Sequence, residues 1–288
     1  MGTLGALNVL GRRAIGRVET VDWSDIAPAE GGRFVATRSG CVHCVEMGEG
    51  PAVLLFHGSG RSVADWQEGF MQALSRNRRV IAFDYYGCGG SERNAKFTYG
   101  YGLWIRQAID LLDALGIGQV SLVGHSVGGA LALMVAHAHP DRVDHVVTIG
   151  TGIAVEPAQF LPVIPGFGEI LMSRATMFGP AVSRQNGEAL EAAFKIRGTR
   201  AALLMYIRRQ LTVDGLSVVA RRVFQSVRAP NLHISGSEDR NISVQAAGRL
   251  ARLTGSELVV IPGATHMAHT EKPEQLADEV ECFLSEPL

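Results

Sequence analysis

The chain has 288 residues, 47 % of them hydrophobic, and a formal net charge of −1. That much apolar material can bury one large core with an insertion, and the near-zero balance excludes a general polyanion binder, so no nucleic-acid partner is expected. The 34 glycines are dispersed, which points to many tight turns and not to a low-complexity tract.

Residues 1–30 read as a weakly patterned extension. Its start, MGTLGALNVLGRRAIG, has no early basic segment, and Arg12 and Arg13 interrupt the apolar run, so it does not read as a secretory signal. Ala6 stands where an N-myristoylation signal places Ser or Thr. No uncharged stretch reaches transmembrane length. A cytoplasmic protein without stable membrane insertion is therefore expected.

From Arg33 the pattern sharpens. RFVATR and CVHCVEM alternate apolar and polar residues around Ser39-Gly40, as a hairpin does. PAVLLFHG is a short continuous apolar run, the pattern of a strand buried on both faces. RRVIAFDYYG, QVSLVGHS, RVDHVVTIG, APNLHISGSED and SELVVIPGATH repeat the design. Helical stretches separate them: SVADWQEGFMQALSR, YGLWIRQAIDLLDALG and VGGALALMVAHAHP. Strands alternating with helices predict an α/β fold, a mostly parallel eight-stranded sheet covered on both faces. The opening hairpin supplies one antiparallel strand at the edge.

The alternation stops over residues 151–229. FLPVIPGFGEILM, GEALEAAFKIRG and RAALLMYIRRQL read as helices and loops. This segment is expected to be a helical cap set into a core made of residues 31–150 and 230–288. Its apolar runs, with Met172, Met177 and Met205, suit either an adaptable apolar pocket or plain packing onto the sheet. Lys and Arg outnumber Asp and Glu in it, which fits solvated helical faces, an anionic substrate or an acidic carrier protein.

Four cysteines are present, and Cys41-Val-His-Cys44 has the spacing of a metal or redox pair. On a strand, however, an offset of three puts the two side chains on opposite faces. No second pair follows at zinc-site spacing, so no metal is expected and the thiols read as reduced.

The apolar run QVSLVG enters Gly124-His125-Ser126-Val127-Gly128, a G-x-S-x-G pattern between a strand and a helix. A sharp strand-to-helix turn projects the serine hydroxyl, and the flanking glycines let the turn close. The following helix directs its N-terminus at the serine, where negative charge is favoured. A hydroxyl needs a base to become a nucleophile. Of nine histidines, His266 and His269 follow the last strand; His266 lies nearer its end and is preferred, with His269 the alternative. Asp239 closes the preceding strand and is placed to orient the imidazole. The amides of Val127 and of Ser59, in the strand-end loop FHGSG, are the expected oxyanion donors.

In this order, HGSG, FDYYGCGGS, GHSVGG, GSED and GATHMAHTEKPEQ resemble the α/β-hydrolase superfamily over about residues 33–288, within it the small capped serine hydrolases. Ser126, Asp239 and His266 follow the family's triad order. The resemblance implies an α/β-hydrolase fold and acyl transfer through an acyl-enzyme on Ser126, with no cofactor. Dehalogenases and epoxide hydrolases of the family carry Asp at the elbow, so Ser126 argues against those chemistries. Cleavage of a carboxylic ester, lactone or thioester of a small, largely apolar substrate ranks first. Carbon–carbon bond hydrolysis of ring-cleavage products ranks below it, because Arg61-Ser62 replaces the Pro-Gly usual after that loop and His125 stands where Asn is frequent. A non-hydrolytic lyase or oxygenase, or a ligand receptor, reuses the same site in other members. Nothing in the sequence marks an oligomeric state.

Overall fold

A computed structural model describes residues 3–152, 164–173, 184–210 and 219–286. The two alternating segments and the six apolar runs form eight strands: β1 (Gly32–Ala36), β2 (Cys41–Met47), β3 (Ala52–Phe56), β4 (Arg79–Phe83), β5 (Val120–His125), β6 (Val143–Ile149), β7 (Asn231–Gly236) and β8 (Glu257–Ile261). They build one sheet in the order β1-β2-β4-β3-β5-β6-β7-β8. Only β2 runs against its neighbours; from β4 to β8 every pairing is parallel. The antiparallel strand therefore lies one place in from the edge, and β1 forms the edge itself.

Helix α1 (Thr3–Val18) precedes the sheet. Helices α2 (Phe70–Leu74), α3 (Tyr101–Ala114) and α4 (Val127–Ala138) lie between the early strands. Between β6 and β7 come α5 (Phe167–Ser173), α6 (Arg184–Lys195), α7 (Thr199–Gln210) and α8 (Val219–Gln225), the described helices of the cap. Helices α9 (Val244–Thr254), α10 (Ala268–Glu271) and α11 (Pro273–Leu284) complete the chain. No described helix is long and apolar enough to cross a membrane.

The two sheet faces carry separate cores, as strand periodicity demands. On β3, Leu54 and Phe56 join Leu131 and Trp104 on one side, while Val53 and Leu55 join Phe70, Met71 and Leu276 on the other. The cap's apolar run on α7 extends the first core: Tyr206 packs on Trp104 with ring centroids 4.7 Å apart, and Leu203 and Leu204 are buried. Met172 is buried, Met205 is on an exposed face, and Met177 lies outside the described residues.

Two elements differ from the sequence expectation. The helix expected over 62–76 divides into a 3-10 turn at Val63–Asp65 and the short α2, because Gly69 between them has φ 102°. The opening extension is helical and docked. Ile15 enters the core, Val21 pairs with Ile196, and the buried Glu19 carboxylate accepts the amides of Gly198 (2.9 Å) and Arg200 (2.8 Å). The segment that looked like an appendage is tied to the cap.

Candidate active site

Winding reverses after β4, so β3 and β5 lie side by side at the switch, where sheets of this type leave a crevice beyond their strand ends. Ser126 follows β5 there. Its backbone, φ 54° and ψ −118°, is the only positive-φ non-glycine among the described residues. Its N–H donates to the Ile149 carbonyl (2.8 Å), and the Thr151 hydroxyl donates to its carbonyl (2.9 Å). The turn closes only because residues 124 and 128 lack side chains. A Cβ at Gly128 would overlap the Phe56 carbonyl, and one at Gly124 would overlap the Gly128 backbone. Helix α4 starts at Val127, so its N-terminus faces the serine.

Asp239 and His266 meet across the loops after β7 and β8. His266 Nδ1–H donates to Asp239 Oδ2 at 2.8 Å, which leaves Nε2 as the basic nitrogen. Asp239 Oδ1 accepts the Asn241 and Ile242 amides, both at 2.8 Å, so the carboxylate is held from two sides. Gly150, next to the residue that anchors Ser126, lies against this pair; a Cβ there would be 3.1 Å from His266 Nδ1. The dyad and the serine thus converge on one strand end. Among the described residues the Ser126 hydroxyl makes no hydrogen bond.

The structure separates the two histidines that the sequence left in competition. His266 keeps its side chain partly exposed beside Asp239. His269 is sealed, stacked on Trp66 (centroids 4.6 Å) and His125 (4.4 Å), with neither ring nitrogen partnered among the described residues. Burial pushes it down to about 3, so it stays neutral.

The N–H groups of Ser59 and Val127 donate to nothing among the described residues. The loop that carries Ser59 is fixed by His57. Its Nδ1–H donates to the Gly58 carbonyl (2.8 Å), and its Nε2 accepts the Tyr85 amide (3.2 Å). The Gly58 carbonyl and the Ser59 N–H belong to one trans peptide and point in opposite directions, so holding the carbonyl aims the amide. Arg61, where Pro-Gly-type loops differ, forms a buried two-pronged pair with Asp65 at 2.7 and 2.8 Å.

A second histidine–aspartate pair lies outside the crevice. His43 Nδ1–H donates to Asp84 Oδ2 (2.7 Å), and both side chains are buried. Asp84 also accepts the Val63 and Gly90 amides. Burial alone would raise its carboxyl, but these donors win and hold it at about 2. The pair pins the turns after β3 and β4 to β2. The sequence placed Asp84 in a structural turn but gave no sign of this partner. It also missed the Thr151 hydroxyl and the bond from His125 Nε2–H to the His266 carbonyl (2.9 Å). Cys41 and Cys44 are both free thiols, Cys44 inside the core.

Known proteins resemble the chain in both sequence and fold. The 2-hydroxymuconate semialdehyde hydrolase of Pseudomonas sp. (strain CF600) is 33 % identical over 84 % of this chain and 89 % of its own. The 2-hydroxy-6-oxo-2,4-heptadienoate hydrolase of Pseudomonas putida is 32 % identical over 89 % of this chain and 97 % of its own. The crystal structure of a serine hydrolase involved in carbazole degradation superposes with a TM-score of 0.72 at 27 % identity, covering 88 % of this chain and 98 % of that one. Residues 53–279 match the model of the alpha/beta hydrolase family. That span reaches from the strand before the Ser59 loop, through the Ser126 elbow and the cap, to the helix after His266, and the chain is an enzyme of the alpha/beta hydrolase family.

Proposed function

We propose that the enzyme hydrolyses a carbon–carbon bond in a 2-hydroxy-6-oxo-dienoate, the product class of aromatic ring cleavage, through an acyl-enzyme on Ser126. The observation that carries this reading is the likeness to two relatives whose names specify such substrates, each spanning at least 84 % of the chain. The motifs alone ranked ester cleavage first. The two departures behind that ranking have structural roles of their own: Arg61 pairs with Asp65, and His125 bonds the His266 loop. Neither weighs against carbon–carbon cleavage.

The chemistry differs from ester cleavage in its leaving group. In 2-hydroxy-6-oxo-2,4-heptadienoate the 2-enol first passes its proton to C5, giving the 2,6-diketone with a C3–C4 double bond. Ser126 Oγ adds to C6 while its proton moves to His266 Nε2, and Asp239 steadies the imidazolium. The Ser59 and Val127 amides receive the oxyanion. Collapse breaks C5–C6, and the electron pair passes through C4 and C3 into the C2 carbonyl, which takes the proton from His266. That releases 2-hydroxypenta-2,4-dienoate. His266 then activates water, which frees acetate from Ser126. The sum is substrate plus water giving the two acids. The surplus of Lys and Arg in the cap suits a substrate that carries a carboxylate.

The test compares turnover of 2-hydroxy-6-oxo-2,4-heptadienoate, followed by loss of its conjugated absorbance, with that of p-nitrophenyl acetate. The dienoate is expected to have the higher kcat/KM by at least ~10²-fold, the scale on which a built site separates substrates. Mass spectrometry should find acetate and 2-hydroxypenta-2,4-dienoate. Ester turnover without dienoate turnover would return ester cleavage to first place.

A further inference from the structure

His125 ends β5 directly before Ser126, and pairing with Ile149 of β6 fixes its backbone. Its side chain is buried, and its Nε2–H donates to the His266 main-chain carbonyl at 2.9 Å. A carbonyl only accepts, so Nδ1 carries the ring's lone pair. That nitrogen has no partner among the described residues and faces the Ser59 loop, where a Cβ on Gly58 would lie 2.9 Å away. The ring centroid is 4.8 Å from that of His266. One side chain therefore fills the gap between the elbow, the base loop and the oxyanion loop.

We infer that His125 is a positioning residue that sets the distance between base and nucleophile; the inference rests on the roles proposed above for Ser126 and His266. Among the described residues two hydrogen bonds hold His266. The one to Asp239 fixes the rotation of its ring. The one from His125 fixes its main chain against the elbow. A displacement of about 1 Å at a reacting group costs ~10²-fold in rate. The donor must also be neutral, because a cation beside His266 would oppose the imidazolium formed in turnover. Burial keeps His125 uncharged, with His269 and His266 acting the same way and Asp65 opposing them. Asp65 is itself paired with Arg61.

A fluorophosphonate probe reads the activation of Ser126 whatever the natural substrate. Three variants are compared with wild type for maximal labelling rate and for probe affinity. His125→Gln keeps a neutral N–H at similar reach and should label within about threefold of wild type. His125→Phe keeps the ring volume without the donor and should lose ~10²-fold in rate, with affinity changed less than about threefold. His125→Asn is one methylene shorter than Gln and should fall between them. Equal loss in Gln and Phe, or a wild-type rate in Phe, would overturn the inference. Should the Phe variant not fold, equal rates for Gln and Asn would overturn it. Wild-type protein that takes no label on Ser126 would overturn the nucleophile assignment itself, and this inference with it.

Discussion

Ser126 carries the backbone strain of the site in its φ of 54°. A side chain in that region costs about 1–3 kcal/mol, held in place here by the Ile149 and Thr151 bonds. Ser126→Ala keeps the Cβ and should leave stability unchanged while removing up to ~10⁶ of turnover, as expected if the proposed triad of Ser126, Asp239 and His266 acts as a unit. Ser126→Gly should be equally inactive yet gain about 1 kcal/mol, because glycine adopts this conformation without penalty. Urea unfolding of the two variants separates strain from chemistry; a glycine variant no more stable than the alanine one would remove the strain argument. Other residues acquire meaning only through partners. His43 and His266 each donate to an aspartate through Nδ1, at 2.7 and 2.8 Å. One pair is sealed inside a turn and the other opens on the crevice. The hydrogen bond alone does not separate them; exposure to the crevice does.

At the scale of elements, the strands were legible because buried β-strands are short apolar runs whatever surrounds them. The elbow was legible because its glycines answer a local steric demand. Helix α1 was not, since three glycines dilute its apolar spacing and its stability comes from docking. Glu19 is the centre of that docking. Its carboxylate satisfies two amides at the start of α7, and Arg200 lies beside it. Glu19→Ala would leave the buried Arg200 amide unpaired, at about 1–3 kcal/mol, and would expose the half-buried Gly198 amide at a smaller cost. Native-state hydrogen exchange should show the Gly198 and Arg200 amides losing protection, while amides of β5 keep theirs. Unchanged protection at Gly198 would show that α1 merely rests on the cap.

Across the whole molecule, burial opposes protonation of five buried histidines: His57, His125, His145, His233 and His269. Burial lowers each, His233 to about 4 and His269 to about 3. The unfolded chain takes up protons at these positions below about pH 6.5, while the folded chain does not. The contribution of these histidines should therefore be flat above that pH and fall as pH drops from about 6.5 toward 4, by up to about 1.4 kcal/mol per pH unit for each histidine. Urea midpoints between pH 7.5 and 5 measure the slope. His233→Gln removes one contributor far from the crevice and should make the slope shallower; an unaltered slope would exclude His233 from the effect.

The sequence by itself determined the α/β sheet and the helical stretch between its sixth and seventh strands, and it singled out Ser126, Asp239 and His266 as candidates. These are local properties: the period of an apolar pattern, the steric demand of a turn, the position of a polar residue just past a strand. Tertiary structure alone decided that the opening segment locks onto the cap. It seated His266, which the sequence preferred, on Asp239 and sealed His269 away, and it joined His125 to a residue 141 positions away. Such pairings depend on where the sheet order brings distant strand ends. A single hydrogen bond between them leaves no periodicity in the chain from which it could be read.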